Sequence, residues 1–333
     1  MYNEDSVIRR YERQLSLSRI FVLYKKIEHI FILNTNALNK TNQKKLEENI
    51  LLACNEENIQ KEIYYTKQKK DVDCYIREAL QRNVLVRFYA CGGDGTLNEV
   101  ANAAKGYRNA EIAVIPLGTG NDFIKSFTNY KYFLDIERQI KGKSIPIDTI
   151  SFDNRLAVNM VNIGFDSAVV EKTEQTKKIP LITGSMAYLI GVAVVLKDMP
   201  LFDLEMIIDN EEKINGKFLL SAIANGSYCG GGFNALSKAV VNDGYIDMIM
   251  VKPLKRREFL AMVGKYKKGT LLETALADRI LYYRRCKSVK FIPVNSFNIC
   301  VDGEMYLTNG TEFNIQQQSI LFSVPLGSEM KNK

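Results

Sequence analysis

Hydrophobic positions in the first half of the chain alternate between two periods. Residues 29–34 (HIFILN) form a short apolar run that ends in a polar turn, and 42–59 then puts Leu46, Ile50 and Ala53 on one helical face. Residues 61–66 alternate as a strand does, 73–82 returns to the helical period, and 84–90 reads as a buried strand. A helix over 97–104 and a strand over 111–115 complete the series. Strands separated by helical stretches of this length predict βαβ units and a Rossmann-like parallel sheet, with ligands at the carboxyl ends of the strands.

The pattern changes after about Asp148. Short strand-like segments at 156–161, 202–208, 218–224, 245–251 and 297–301 are separated by Gly, Asn and Asp, which predicts a mostly antiparallel β-sandwich as a second domain. One apolar helical stretch, 185–196, interrupts them and reads as a core helix or as one wall of an apolar pocket. The expected division is an N-terminal extension over 1–25, an α/β domain over 26–147 and a β-rich domain over 148–320.

With 333 residues, 46% hydrophobic and 25% charged, the chain is long enough for two globular domains. Its longest apolar run, 186–196, is too short to span a bilayer. Six cysteines without CxxC spacing favour reduced thiols in a cytosol over disulfides or zinc. A single histidine, His29, sits in a strand-like run and reads as a packed side chain, so the chemistry must run on carboxylates, backbone amides and metal. The net charge of +7 does not call for nucleic acid, but residues 252–290 hold twelve Lys/Arg against three acidic residues. Such a stretch suits either a solvated helix face or docking on an anionic membrane.

Two turns carry the candidate chemistry. Gly92-Gly93-Asp94-Gly95-Thr96 follows a buried strand and opens a helix, so its amides and the helix N-terminus suit a phosphate. Pro116-Leu117-Gly118-Thr119-Gly120-Asn121-Asp122 repeats that logic at the next strand. An acidic residue in each turn suits Mg²⁺ bound with phosphate, although each can also serve as a loop anchor or helix cap.

The runs GGDGTLNEV (92–100) and PLGTGNDF (116–123) together resemble the catalytic domain of the diacylglycerol kinase and lipid kinase family. Pro146-Ile147-Asp148, Asn162-Ile163-Gly164-Phe165-Asp166, Gly230-Gly231-Gly232-Phe233, Asn242-Asp243-Gly244 and Asp302-Gly303-Glu304 extend the resemblance in the same order. It implies an ATP- and Mg²⁺-dependent kinase that phosphorylates diacylglycerol or a similar lipid alcohol at the cytoplasmic membrane face, and it suggests a homodimer. It also implies that the domain over 26–147, completed by 321–333, binds the nucleotide, that the domain over 148–320 binds the lipid substrate, and that the active site lies in the cleft between them. Thr66, Gly92, Gly93, Asp94, Gly95, Thr96, Leu97, Asn98 and Thr119 would hold the nucleotide. Asp94, Asp122 and Asp148 would organise the catalytic metal, Asp122 also belonging to the catalytic group. Asp243 with Val240 and Tyr245 would form a second, structural metal site. Glu304 would be the general base, with Asp302 as its metal or base partner. Taken alone, Asn242-Asp243-Gly244 and Asp302-Gly303 read as hairpin turns. The family's Asn-Pro-x-Ser-Gly turn is altered here to Asn34-Thr35-Asn36-Ala37, with the Pro and Gly missing. That departure supports an alternative, a nucleotide-binding regulator without turnover. An NAD kinase, which shares only GGDGT, is a third reading.

Overall fold

The computed structural model describes residues 27–35, 38–66, 71–82, 84–177, 190–191 and 194–331. The expected extension over 1–25 lies outside the described residues, as does most of the apolar stretch 185–196. In the first half, β1 (Ile27–Asn34), α1 (Lys40–Glu56), β2 (Lys61–Thr66), α2 (Asp71–Leu80), β3 (Leu85–Gly92), α3 (Asp94–Ala103) and β4 (Ala110–Pro116) follow one another. The four strands pair in parallel in the order β2-β1-β3-β4. Every residue of β3 and β4 is buried, because helices cover both faces of the sheet.

Alternation along β1 divides the core in two. Ile30 and Ile32 pack with α2 and α3 through Val72, Ile76 and Val100. Phe31 and Leu33 point the other way, onto Leu46 and Ile50 of α1 and onto Ile136 and Ile140 of α4 (Ile136–Ile140). His29 belongs to this packing: its Nδ1 lies 2.8 Å from the Tyr89 hydroxyl. Burial, aided by the Arg87 charge, lowers its pKa to about 4, so the imidazole stays neutral.

In the second half, β5 (Lys143–Phe152), β6 (Arg155–Ala157), β7 (Met160–Gly164) and α5 (Phe165–Lys177) precede β8 (Phe202–Ile208), β9 (Glu212–Phe218), β10 (Leu220–Ala224) and β11 (Ile246–Val251). Next come α6 (Arg256–Lys268), α7 (Ala275–Ile280), β12 (Leu281–Cys286), β13 (Ser288–Pro293), β14 (Phe297–Val301), β15 (Glu304–Thr308) and β16 (Thr311–Val324). A six-stranded antiparallel sheet runs β12-β11-β10-β7-β14-β15. It packs on β8, β9, β13 and the adjoining parts of β5 and β16 through a core that includes Ile163, Met206, Phe218, Met248 and Phe291. The fold is thus mixed α/β, with a parallel-strand sheet and an antiparallel one. Where the sequence suggests one strand over 156–161, the chain turns a corner at Val158 and Asn159, whose amides point at the Asp302 carboxylate.

β16 joins the two halves. Its 14 residues pair in parallel with β4 near one end and antiparallel with β13 near the other. Along most of its length it also pairs with β5, with the register shifting between Gln316 and Ile320. The first sheet is therefore continuous into the second half, ten strands in all.

Candidate active site

The predicted turns lie side by side at the carboxyl ends of the parallel strands. Asn34 is in register with Thr66, and Gly92 with Pro116. Asn34 Nδ2 donates to the Thr96 hydroxyl at 3.0 Å, and the Thr35 hydroxyl donates to the Thr66 carbonyl at 3.0 Å. Asn34, kept from the family's turn, is thereby tied to the glycine turn. A Cβ on Gly118 would lie 2.5 Å from the Gly93 Cα, so both turns must be glycine for their backbones to touch. Asn121, at φ 47°, braces the second turn by accepting from Gly118 N and donating to its carbonyl. Leu97 is buried in the core, so only its backbone faces the turn, whereas Thr119 is exposed.

The two acidic residues meet where these turns touch. Asp94 accepts from the amides of Asp122 at 2.9 Å and Phe123 at 3.3 Å. A Cβ on Gly120 would stand 3.1 Å from Asp94 Oδ2 and 3.4 Å from Asp122 Oδ2, so glycine leaves a hollow between the carboxylates. Burial, and next the charge of Asp122, push the Asp94 carboxyl up to about 6. Asp122 is held by Lys125, whose Nζ lies 2.6 Å from Oδ1 and also donates to the Gly120 carbonyl at 2.8 Å.

The antiparallel half closes on this hollow from the other side. Gly230, Gly231 and Gly232 all have positive φ, and Gly231 N donates to Asp122 Oδ2 at 2.8 Å. Asp302 and Gly303, at φ 47° and 91°, make the tight turn between β14 and β15. That turn carries Glu304, whose Oε1 lies 3.2 Å from where a Cβ on Gly95 would be. Asp302 is occupied: it accepts from Asn98 Nδ2 and from the amides of Val158, Asn159 and Met160, all within 3.0 Å. Burial pushes its carboxyl upward while those four donors pull the other way. It fixes the β14–β15 turn on α3, and Asn98 serves that bond and the Leu156 carbonyl.

The other expected metal residues stand apart. Among the described residues no three Asp, Glu, His or Cys side chains lie together in a way that would hold an ion. Asp148, expected beside Asp94 and Asp122, is fully buried in β5 and accepts from Gln318 N and Gly244 N, each at 2.7 Å. It therefore ties the register shift of β16 to the Asn242-Asp243-Gly244 turn. Asp243 accepts from Tyr245 N and is paired with the Arg285 guanidinium, which stacks 4.4 Å above the Tyr245 ring. Asp243, expected with Val240 and Tyr245 to hold a metal, is thus ion-paired with Arg285, as Asp122 is with Lys125. The Asp94–Asp122 hollow does fit Mg²⁺, which takes one or two carboxylates and completes its shell with water and phosphate oxygens.

An apolar cavity of about 130 Å³ opens beside the glycine run. Gly230, Asn162, Phe165, Leu220, Phe259 and Met262 are among its walls, and so is Leu196, from the end of the stretch expected to form one. Sequence reasoning did not single out Lys125; it met Asn162 only within a motif of the resemblance and Arg285 only within the basic stretch, and gave neither a role of its own.

Residues 28–152 match the family described as the diacylglycerol kinase catalytic domain, and 159–321 match the YegS C-terminal NAD kinase beta sandwich-like domain. The chain is 32% identical over 211 residues to a probable lipid kinase YegS-like of Klebsiella pneumoniae, covering 62% of this chain and 69% of that one. It is 29% identical over 263 residues to a probable lipid kinase YegS-like of Shewanella frigidimarina, covering 78% and 82%. A crystal structure of a diacylglycerol kinase from Bacillus anthracis has the same fold, with a TM-score of 0.65 at 20% identity over 90% of this chain and 96% of that one.

Proposed function

The chain belongs to the family of diacylglycerol kinase-like, YegS-like lipid kinases, and from that premise we propose that it transfers the γ-phosphoryl group of ATP to the hydroxyl of a diacylglycerol-like lipid alcohol. The observation that carries this reading is the meeting of Glu304, from the antiparallel half, with Gly95 in the nucleotide-side turn.

The roles follow from the chemistry of phosphoryl transfer, which asks for position and charge neutralisation more than covalent help. Amides of the 92–98 turn, at the N-terminus of α3, receive the phosphates. Asp94 and Asp122 would hold Mg²⁺, which when bound neutralises charge on the phosphate oxygens. Glu304 accepts the proton of the lipid hydroxyl as its oxygen bonds to the γ-phosphorus. The bond from phosphorus to the β,γ-bridging oxygen breaks, and ADP leaves with the electron pair. Lys125 and Gly231 keep the Asp122 carboxylate aimed into the hollow, and Asp302 positions Glu304. The apolar cavity beside Gly230 takes part of the lipid chain. The basic residues of α6 face an anionic membrane from which the lipid is drawn.

The test is Glu304→Gln. Turnover should fall by roughly 10²- to 10⁴-fold, while ADP with Mg²⁺ still binds by calorimetry. Full activity in the variant would remove Glu304 as the base. Transfer of label to NAD but to no lipid would replace the lipid reading altogether.

A further inference from the structure

Asn162 has no task in the reaction as described. It stands inside the antiparallel sheet on β7, paired with Ala222 on one neighbour and Cys300 on the other. Its Oδ1 is buried and meets no hydrogen-bond partner among the described residues. Buried polar atoms in folded proteins are nearly always satisfied, so an orphan in a sheet interior needs a reason. A valine or leucine would fill this position between small and apolar neighbours without that cost.

The surroundings supply the reason. Asn162 lines the apolar cavity together with Phe165, Leu220, Phe259 and Met262. Gly230 lines it too, and the adjacent Gly231 amide holds Asp122. On the same sheet Cys300 pairs with Asn162, and the next residue, Val301, pairs with Glu304. The carboxamide thus lies between the reacting end of the site and its apolar end. Building on the lipid kinase reading, we propose that Asn162 is the polar anchor for the lipid backbone. Its amide hydrogen-bonds the linkage that joins the apolar chain to the hydroxyl-bearing carbon. A carboxamide both donates and accepts, so an ester carbonyl would meet Nδ2 and a hydroxyl or amide N–H would meet Oδ1. The substrate class is then a lipid alcohol with such a linkage, and a plain long-chain alcohol is a poor substrate.

The experiment compares kcat/KM of the full-length chain with ATP and Mg²⁺ on detergent-dispersed dioctanoylglycerol, monooleoylglycerol, a ceramide and hexadecanol. The wild type should prefer at least one linkage-bearing lipid over hexadecanol by about tenfold or more, the discrimination one neutral hydrogen bond provides. Asn162→Leu should erase that preference while KM for ATP stays the same, and it should melt at the same or a higher temperature, because it removes an unsatisfied oxygen. Asn162→Ser provides the same comparison if the leucine variant does not fold. An unchanged preference in either folded variant would overturn the anchor and leave the kinase reading intact, as would an equal loss on every lipid with a large drop in melting temperature. If the wild type phosphorylates none of these lipids, the lipid kinase reading fails first and the anchor falls with it.

Discussion

Asp94 shows how much a single residue can give up in stability for chemistry. Its carboxyl is held at about 6 instead of 3.8, so the folded chain keeps that proton more tightly than the unfolded chain does. The stability associated with neutral Asp94 is therefore fully present below about pH 4 and is lost as pH rises through 6. Asp94→Asn should melt higher than the wild type at pH 8, by no more than about 3 kcal/mol at 1.36 kcal/mol per pH unit. The difference should vanish below pH 4. Scanning calorimetry across that range checks it, and equal melting at pH 8 would count against the burial argument. Asp94, Asp122 and Glu304 were legible because each sits in a glycine turn with its own sequence signature. Lys125 and the pairing of Arg285 were not, and Asn162 was met only as part of a motif, without a role. Arg285 finds Asp243 from 42 positions away, and such a meeting leaves no trace in local spacing.

At the scale of elements, helices and parallel strands of the first half were readable because their periods are long and regular. Several strands of the second half were not. β12 carries Tyr282, Tyr283, Arg284 and Arg285 in succession, and its charges merged with the basic stretch 252–290 instead of marking a strand. In the structure that stretch divides. Arg279, Arg284 and Arg285 are ion-paired with Glu258, Glu212 and Asp243. The basic residues Arg257, Lys265 and Lys268 lie on α6, which buries Phe259, Met262 and Tyr266 and exposes Leu260; under the proposed function these charges would face the membrane. Replacing Arg257, Lys265 and Lys268 together with Gln should weaken binding to phosphatidylserine vesicles by about a hundredfold at low salt, at roughly 1 kcal/mol per basic residue. Cosedimentation measures this. Wild-type binding that ignores salt would rule out the electrostatic mode. Among the described residues no helix is long and apolar enough to cross a membrane.

At the scale of the molecule, the expected two-part division follows the sequence texture, but the structure adds a seam that texture did not reveal. β5 and β16 run together through both halves, and Asp148 bonds across the point where their register shifts. The polar run Gln316-Gln317-Gln318-Ser319 hides this strand, since its outward side chains interrupt the apolar pattern. Asp148→Ala takes this acceptor away from the buried Gln318 and Gly244 amides and should cost about 3 kcal/mol. Urea unfolding of the variant, followed by circular dichroism and by tyrosine fluorescence, should remain a single coincident transition at lower denaturant. Two separated transitions in the wild type would show that the seam does not couple the halves.

The continuous β5–β16 pair also limits how the enzyme can open. A kinase whose two halves are joined by one flexible linker can swing apart like jaws. Here two adjacent strands join the halves, so a jaw-like swing would have to bend or break paired backbone that a single linker would leave untouched.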